Sequence, residues 1–418
     1  MAGKIVDRRT ALKTGGMAAL ALGFGSCGPK ASPNLVPRRP PITLPPVNIS
    51  WDRVIRTTVG LRPHRPSGFV LKTEKLDDKT LIHNYGHGGT GHSLGWGTGS
   101  LAADMALAQS ARRAAVIGCG TVGLAAARQL QRRGFEVTIY TQSVPPDTTS
   151  NMALAAFTPT SGLISGEYTP EWLAQFRRAA EITYRQLQLL AGPQYGVSWV
   201  DSYSMTNTEP PAGRPSGGEG GALLPAELRG SREILGPGEH PFPSKYAVRS
   251  PGIRIEPSIY LDALMREVVL FGARIVIRKF DTPRDLMSLP DPVIVNCSGL
   301  GAKEIFGDRE LIPIKGQLTV LVPQPEINYR TAGGVPDAPA APGGFGIHML
   351  PRSDGIILGG TQERGVATLE PNEEARKRVV DGHIELFRAM RQLVPGARLT
   401  KFEAPRETPS LETFFNQE

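Results

Sequence analysis

Gly118-Cys119-Gly120-Thr121-Val122-Gly123 is the stretch that decides the fold. Just before it, Ala114-Ala115-Val116-Ile117 is an apolar run of strand length. Just after it, residues 121–133 carry Val122, Ala125, Ala126 and Leu130 at helical spacing until Gly134 stops the pattern. Residues 136–140 then alternate as a second strand. A G-x-G-x-x-G between a strand and a helix lets the backbone approach a pyrophosphate at the positive end of the helix. An acidic residue usually closes the second strand and grips a ribose; here Tyr140 is followed by Thr141 and Gln142, which makes Gln142 the candidate ribose partner.

Downstream, the periodicity predicts long helices over 170–190 and 257–271, the second closed by Gly272. Strands are expected over 274–280 and 292–296, the latter running into Cys297-Ser298-Gly299, and a Gly- and Pro-rich surface loop over 210–221. With 418 residues, 40% hydrophobic and 21% charged, the chain can bury a large core. Its net charge of +8 includes Lys4, Arg8, Arg9, Lys13, Lys30, Arg38 and Arg39, which precede any globular pattern, so basicity is poor evidence for a nucleic acid partner and none is expected. Cys27, Cys119 and Cys297 have neither disulfide-framework nor metal-ligand spacing, and no metal is expected.

Arg8-Arg9-Thr10-Ala11-Leu12-Lys13 ahead of a weakly apolar run reads as a twin-arginine export signal over 1–27. Phe24-Gly25-Ser26-Cys27-Gly28 leaves two outcomes open: lipid attachment at Cys27, which would tether the protein to a membrane, or plain cleavage. Prolines over 29–46 favour an extended spacer. The protein is expected outside the cytoplasm.

Upstream of the glycine turn stands His83-Asn84-Tyr85-Gly86-His87-Gly88-Gly89-Thr90-Gly91-His92-Ser93, leading into a helix expected from about 94 to 108. Its glycines bare backbone amides, which together with the helix N-terminus suit a group that becomes anionic, such as the pyrimidine edge of a reduced flavin. His83 and His87 have a metal-like spacing only on a helix, which Gly86, Gly88 and Gly89 oppose. Earlier still, Gly60-Leu61-Arg62-Pro63-His64-Arg65-Pro66 fences two arginines with prolines. Such a pair is suited to planar recognition of a carboxylate, or stands solvated; spacing alone leaves both open.

These two motifs resemble those of the D-amino acid oxidase family, as do Thr148-Thr149-Ser150, Val295-Asn296-Cys297-Ser298-Gly299 and Gly316-Gln317. In the family the arginine and His-Asn-Tyr-Gly motifs follow the glycine turn; here they precede it, the order a circular permutation would produce, with the new cut near 397–404. The resemblance covers roughly residues 52–400. It implies an α/β fold, a Rossmann-like FAD-binding domain with an interleaved antiparallel-sheet α+β substrate domain. The segments expected are a signal peptide, 1–27; a linker, 28–50; a permuted segment, 51–110; an FAD-binding core, 111–165, with its return at 261–305; substrate-domain parts at 166–260 and 306–405; and a tail, 406–418.

The resemblance further implies that FAD is held by Gly118, Gly120, Thr121, Val122, Gly123, Gln142, Thr148, Thr149, Phe280, Ser298 and Gly299, with Gly88, Gly89, Thr90, Gly91, His92 and Ser93 bordering its ring. Arg62 takes the role of the substrate-carboxylate arginine, and the Gly89 carbonyl that of an amine acceptor. Where the family has two tyrosines over the substrate, this chain has His348 and, near the first, Gly344; His348 either shapes the pocket or packs in a strand, and with Arg352 it suits an acidic or polar side chain. The implied reaction takes a D-amino acid to an imino acid, then to a 2-oxo acid and ammonia, with oxygen or another acceptor reoxidising the flavin. Its rivals are a dehydrogenase serving a quinone or carrier, and a membrane-tethered flavoprotein that binds ligand without turnover.

Overall fold

The computed structural model describes residues 40–211, 223–333 and 346–391. The export segment with Cys27, most of the proline-rich spacer, the 212–222 part of the surface loop, Gly344 and the 397–404 junction lie outside the described residues.

The chain begins with β1 (Val54–His64), β2 (Val70–Leu76), β3 (Lys79–Tyr85) and α1 (Gly91–Leu107). The anticipated strand-helix-strand unit follows as β4 (Arg113–Ile117), α2 (Thr121–Gln131) and β5 (Glu136–Thr141). Next come α3 (Pro170–Leu189), β6 (Val197–Thr206), β7 (Glu233–Leu235), β8 (Tyr246–Ile255) and α4 (Pro257–Leu270). β9 (Arg274–Ile277), α5 (Pro283–Met287), β10 (Val293–Asn296) and α6 (Gly301–Phe306) return the chain to the first region. β11 (Ile312–Leu321), β12 (Tyr329–Ala332), β13 (His348–Arg352), β14 (Gly355–Gly359), β15 (Glu363–Arg364) and α7 (Glu373–Arg388) complete the order.

Two sheets result. A six-stranded sheet, ordered β2-β3-β10-β4-β5-β9, is parallel except at β2–β3. Its central strands are continuous apolar runs because helices or chain cover both faces. A nine-stranded sheet, ordered β1-β11-β14-β13-β12-β6-β8-β7 with β15 beside β11, is antiparallel except for the β12–β6 pair. This is the antiparallel-sheet substrate domain expected from the sequence, with one parallel pair added because β12 takes its place beside a strand from over a hundred residues earlier. The fold is therefore a two-domain α/β fold with a Rossmann-like sheet and a mixed sheet.

α1 explains its own glycines. A Cβ at Gly97 would overlap the Ala179 backbone of α3, and one at Gly99 would come within 2.9 Å of Ala126 in α2. The helix is a wedge between two others, and it starts at Gly91, three residues ahead of the expectation, because these glycines serve close packing. His83, Asn84 and Tyr85, expected in a bare loop, close strand β3 instead. β9 ends at Ile277, so Phe280 follows the strand and does not belong to it. α3 and α4 run as expected: Pro170 and Pro257 open them, Thr169 caps α3 through the Trp172 amide, and Gly272 with φ +89° ends α4. Ile82, Val116, Leu124, Leu130, Phe176 and Val295 are among the residues of the core around the parallel sheet, and Tyr329, Met349, Leu358, Val380 and Phe387 are among those of a second core behind the mixed sheet.

Candidate active site

Both sheets contribute walls to one cavity of ≈ 1100 Å³. At one end lies the glycine turn after β4. Gly118, with φ +107°, sits where a side chain would meet the Cys297 carbonyl, and a Cβ on Gly123 would overlap the Gly118 carbonyl oxygen. Gly120, the residue before α2, provides no side-chain cap; the Ser150 hydroxyl instead accepts from the Thr121 amide at 3.0 Å. The first turn of α2 is thereby held open toward the cavity, with its positive end available to an anion. Gly118, Gly120, Thr121, Val122, Gly123, Gln142, Thr148, Thr149, Phe280, Ser298 and Gly299 all line this region. Ser298 is aimed by Asn296, which accepts from its amide and hydroxyl.

His83 is occupied elsewhere. Its Nδ1 accepts from Asn296 at 3.1 Å, so Nε2 carries the proton and donates to Glu74 at 2.9 Å. His87 lines the cavity but is bonded to Thr98 at 3.0 Å and stacked on Phe69; burial lowers its pKa to about 3. Gly89, Gly91 and His92 line the cavity, whereas Gly88, Thr90 and Ser93 of the expected ring-bordering strip do not. Gly88 lies against the Gly162 backbone, the Thr90 hydroxyl donates to the His87 carbonyl at 2.6 Å, and the Ser93 hydroxyl joins the Ala156 carbonyl to the Thr158 amide. These three brace the strip from behind.

At the other end β1 carries Arg62, paired in register with Ile314 of β11. Its guanidinium lies between two glycines: a Cβ at Gly89 would come within 2.9 Å of Arg62 Cδ, and one at Gly316 within 3.4 Å of Arg62 Nε. Gly89 itself has φ +97°. Arg330 on β12 lines the same space, and its Nε is buried without a hydrogen-bond partner. Among the described residues neither arginine has an ionic partner, and burial lowers the pKa of both. Taking a cation out of water costs several kcal/mol, roughly, unless an anion meets it. His348 stands beside them, its ring fitted over Gly359, where a Cβ would collide with it. Burial first, then the charges of Arg330, His383 and Arg62, lower its pKa to about 3, so it is neutral at ordinary pH.

Arg352 corrects the sequence reading. It forms a two-pronged ion pair with Asp354 at 2.8 and 2.9 Å, donates to the Ala153 carbonyl, and does not line the cavity. The residue that sequence reasoning missed is Arg330, a lone arginine in a four-residue strand with no motif around it. Asn84, quoted in the histidine strip but assigned no role, also lines the cavity, its buried amide beside the Cys297 thiol.

A glycine cradle at the start of a helix whose N-cap residue offers no side chain, together with a cavity of this size, fits a bound flavin dinucleotide. The site and fold define a Rossmann-type dinucleotide-binding oxidoreductase. A family model described as FAD dependent oxidoreductase, DAO, matches residues 113–409, and the chain belongs to that family. FAD is its cofactor. Its relatives include a D-amino acid oxidase of Dugesia ryukyuensis, 24% identical over 316 residues, with 70% of this chain and 86% of that protein covered. The D-amino-acid oxidase of Rubrobacter xylanophilus is 27% identical over 292 residues, covering 70% and 81%. Human D-aspartate oxidase is 24% identical over 272 residues, covering 64% and 74%. A solved glycine oxidase from Geobacillus kaustophilus aligns with a TM-score of 0.47 at 17% identity, over 66% of this chain and 78% of its own.

Proposed function

We propose that the protein oxidises the CH–NH2 group of acidic D-amino acids, giving an imino acid that hydrolyses to a 2-oxo acid and ammonia, with oxygen as acceptor and hydrogen peroxide as product. The observation that carries this reading is the pair of half-buried guanidiniums, Arg62 and Arg330, facing one cavity with no carboxylate paired to either among the described residues. Two fixed cations call for two carboxylates on one small molecule. Arg62 takes the α-carboxylate in the role its motif implies, and the Gly89 carbonyl accepts from the amine. Arg330 takes the side-chain carboxylate, and neutral His348 adds a polar contact without competing for that anion. FAD supplies the acceptor for a hydride from the α-carbon. The chain's own part is to fix the substrate's distance and face, so no acid or base residue is required.

Circular permutation is part of the proposal. It is supported by two facts: residues of β1 and the strip before α1 line the same cavity as the glycine turn, while the family match begins only at 113. Export by the twin-arginine route, with Cys27 as a candidate lipid anchor, is proposed from the sequence alone, and an unprocessed cytoplasmic product in cells would refute it.

The test of the activity is peroxide release in air. D-aspartate or D-glutamate should drive it, and Arg62→Ala should lower kcat/KM by roughly 30- to several-thousand-fold, the range expected for removing one partner of a buried ion pair, about 2–5 kcal/mol. Undiminished turnover by Arg62→Ala would mean that another group holds the carboxylate.

A further inference from the structure

His92 is the second residue of α1 and only 5% exposed, yet it lines the cavity. Its ring lies 5.8 Å from that of Tyr260, whose hydroxyl oxygen accepts from the Trp96 indole N–H at 2.6 Å. Nε2 is buried with no partner, and among the described residues neither ring nitrogen makes a hydrogen bond. An uncompensated buried polar group costs about 1–3 kcal/mol, so a partner is expected from the cavity.

Chemistry fixes which nitrogen would serve. A bare acceptor lone pair is tolerated better than a bare N–H, so the sealed Nε2 is the unprotonated one and Nδ1 carries the proton. Burial first, and then the charge of Arg352, lower the His92 pKa to about 4, which leaves the ring neutral and a single-proton donor. The surroundings add a second argument. Thr90 gives α1 no side-chain cap, and a Cβ at Gly91 would come within 2.9 Å of Thr121 Cγ2 at the start of α2. Two positive helix ends therefore meet beside His92, which favours an occupant that gains negative charge.

We propose that His92 donates a hydrogen bond from Nδ1 to the flavin ring, and that this bond strengthens when the ring is reduced, so that the residue raises the reduction potential of the cofactor. This rests on the FAD reading of the cavity and on the histidine strip bordering the ring. His92 is a positioning and tuning residue, not an acid or a base.

The test compares purified holoenzymes: wild type, His92→Leu, which removes the donor, and His92→Gln, which keeps one. His92→Leu should retain yellow FAD while its two-electron potential falls by about 30 mV, the equivalent of a tenfold loss in stabilisation of the reduced form. Sulfite affinity should weaken about tenfold in parallel, with His92→Gln recovering most of both. An unchanged potential in FAD-loaded His92→Leu overturns the proposal while leaving the parent reading intact. A wild-type protein that takes up no FAD overturns both. Should His92→Leu lose its flavin, 15N-histidine spectra of wild-type holoenzyme decide: a protonated Nδ1 resonance that moves on reduction supports the bond, and one that stays fixed refutes it.

Discussion

The two ends of the cavity are built by opposite means. At the end with the glycine turn, backbone forms the wall: glycines clear space and the first turn of α2 begins there, with Ser150 accepting from its Thr121 amide. At the far end, side chains form the wall: Arg62 and Arg330 from strands β1 and β12 stand half-buried beside neutral His348. A backbone cradle tolerates no added carbon but asks little of residue identity elsewhere. A cluster of unpaired cations tolerates changes of shape but not of charge. The first kind of site is written locally in the chain and the second is assembled by the sheet.

Three substitutions or conditions would break or sharpen that contrast. The largest effect is expected at the nucleotide end: Gly123→Ala places a methyl against the Gly118 carbonyl, closing the helix–strand approach. It should yield a colourless protein that FAD does not restore, read from the visible spectrum; full flavin content would show that the turn has slack. Next, Arg330→Leu should lower kcat/KM for D-aspartate by roughly 30- to several-thousand-fold, on the same order as other buried ion-pair truncations, while turnover of D-alanine changes little. An equal loss for both substrates would move Arg330 from specificity to general support of the fold.

The remaining effect is on stability and concerns pH. His87, His92, His348 and His383 are held neutral by burial, with pKa values lowered from 6.5 to about 3, 4, 3 and 4. Unfolded, they bind protons below about 6.5; folded, they do so only near 3 to 4. In between, the unfolded chain holds more protons, so stability is present above that upper value and is lost as pH falls, by on the order of 1 kcal/mol per pH unit for each such group. Thermal melts of the holoenzyme should therefore show a clearly lower Tm at pH 5 than at pH 7; a flat profile would mean that these histidines are hydrated.

What the sequence disclosed follows the same contrast. The turn at Gly118–Gly123 and its flanking β4, α2 and β5 were legible because a local pattern carries them. Arg62 was singled out through the family resemblance of its proline-fenced motif, and it lines the cavity. Arg330 was not, since its meaning depends on β12 lying beside β6 and β13, a neighbourhood that no window of sequence contains. Arg352 misled for the converse reason: its partner Asp354 stands two residues away, and nothing in the pattern tells a satisfied arginine from a waiting one. The start of α1 was misplaced because glycines read as helix breakers unless the helices they admit, α2 and α3, are in view.

The most direct measurement is anaerobic mixing of the purified yellow protein with D-aspartate, D-alanine and L-aspartate while flavin absorbance is followed. Rapid bleaching by D-aspartate, slower bleaching by D-alanine and none by L-aspartate is the predicted result. Bleaching by D-alanine as efficient as by D-aspartate, or no bleaching by any of the three, would contradict a cavity in which two waiting arginines choose the substrate.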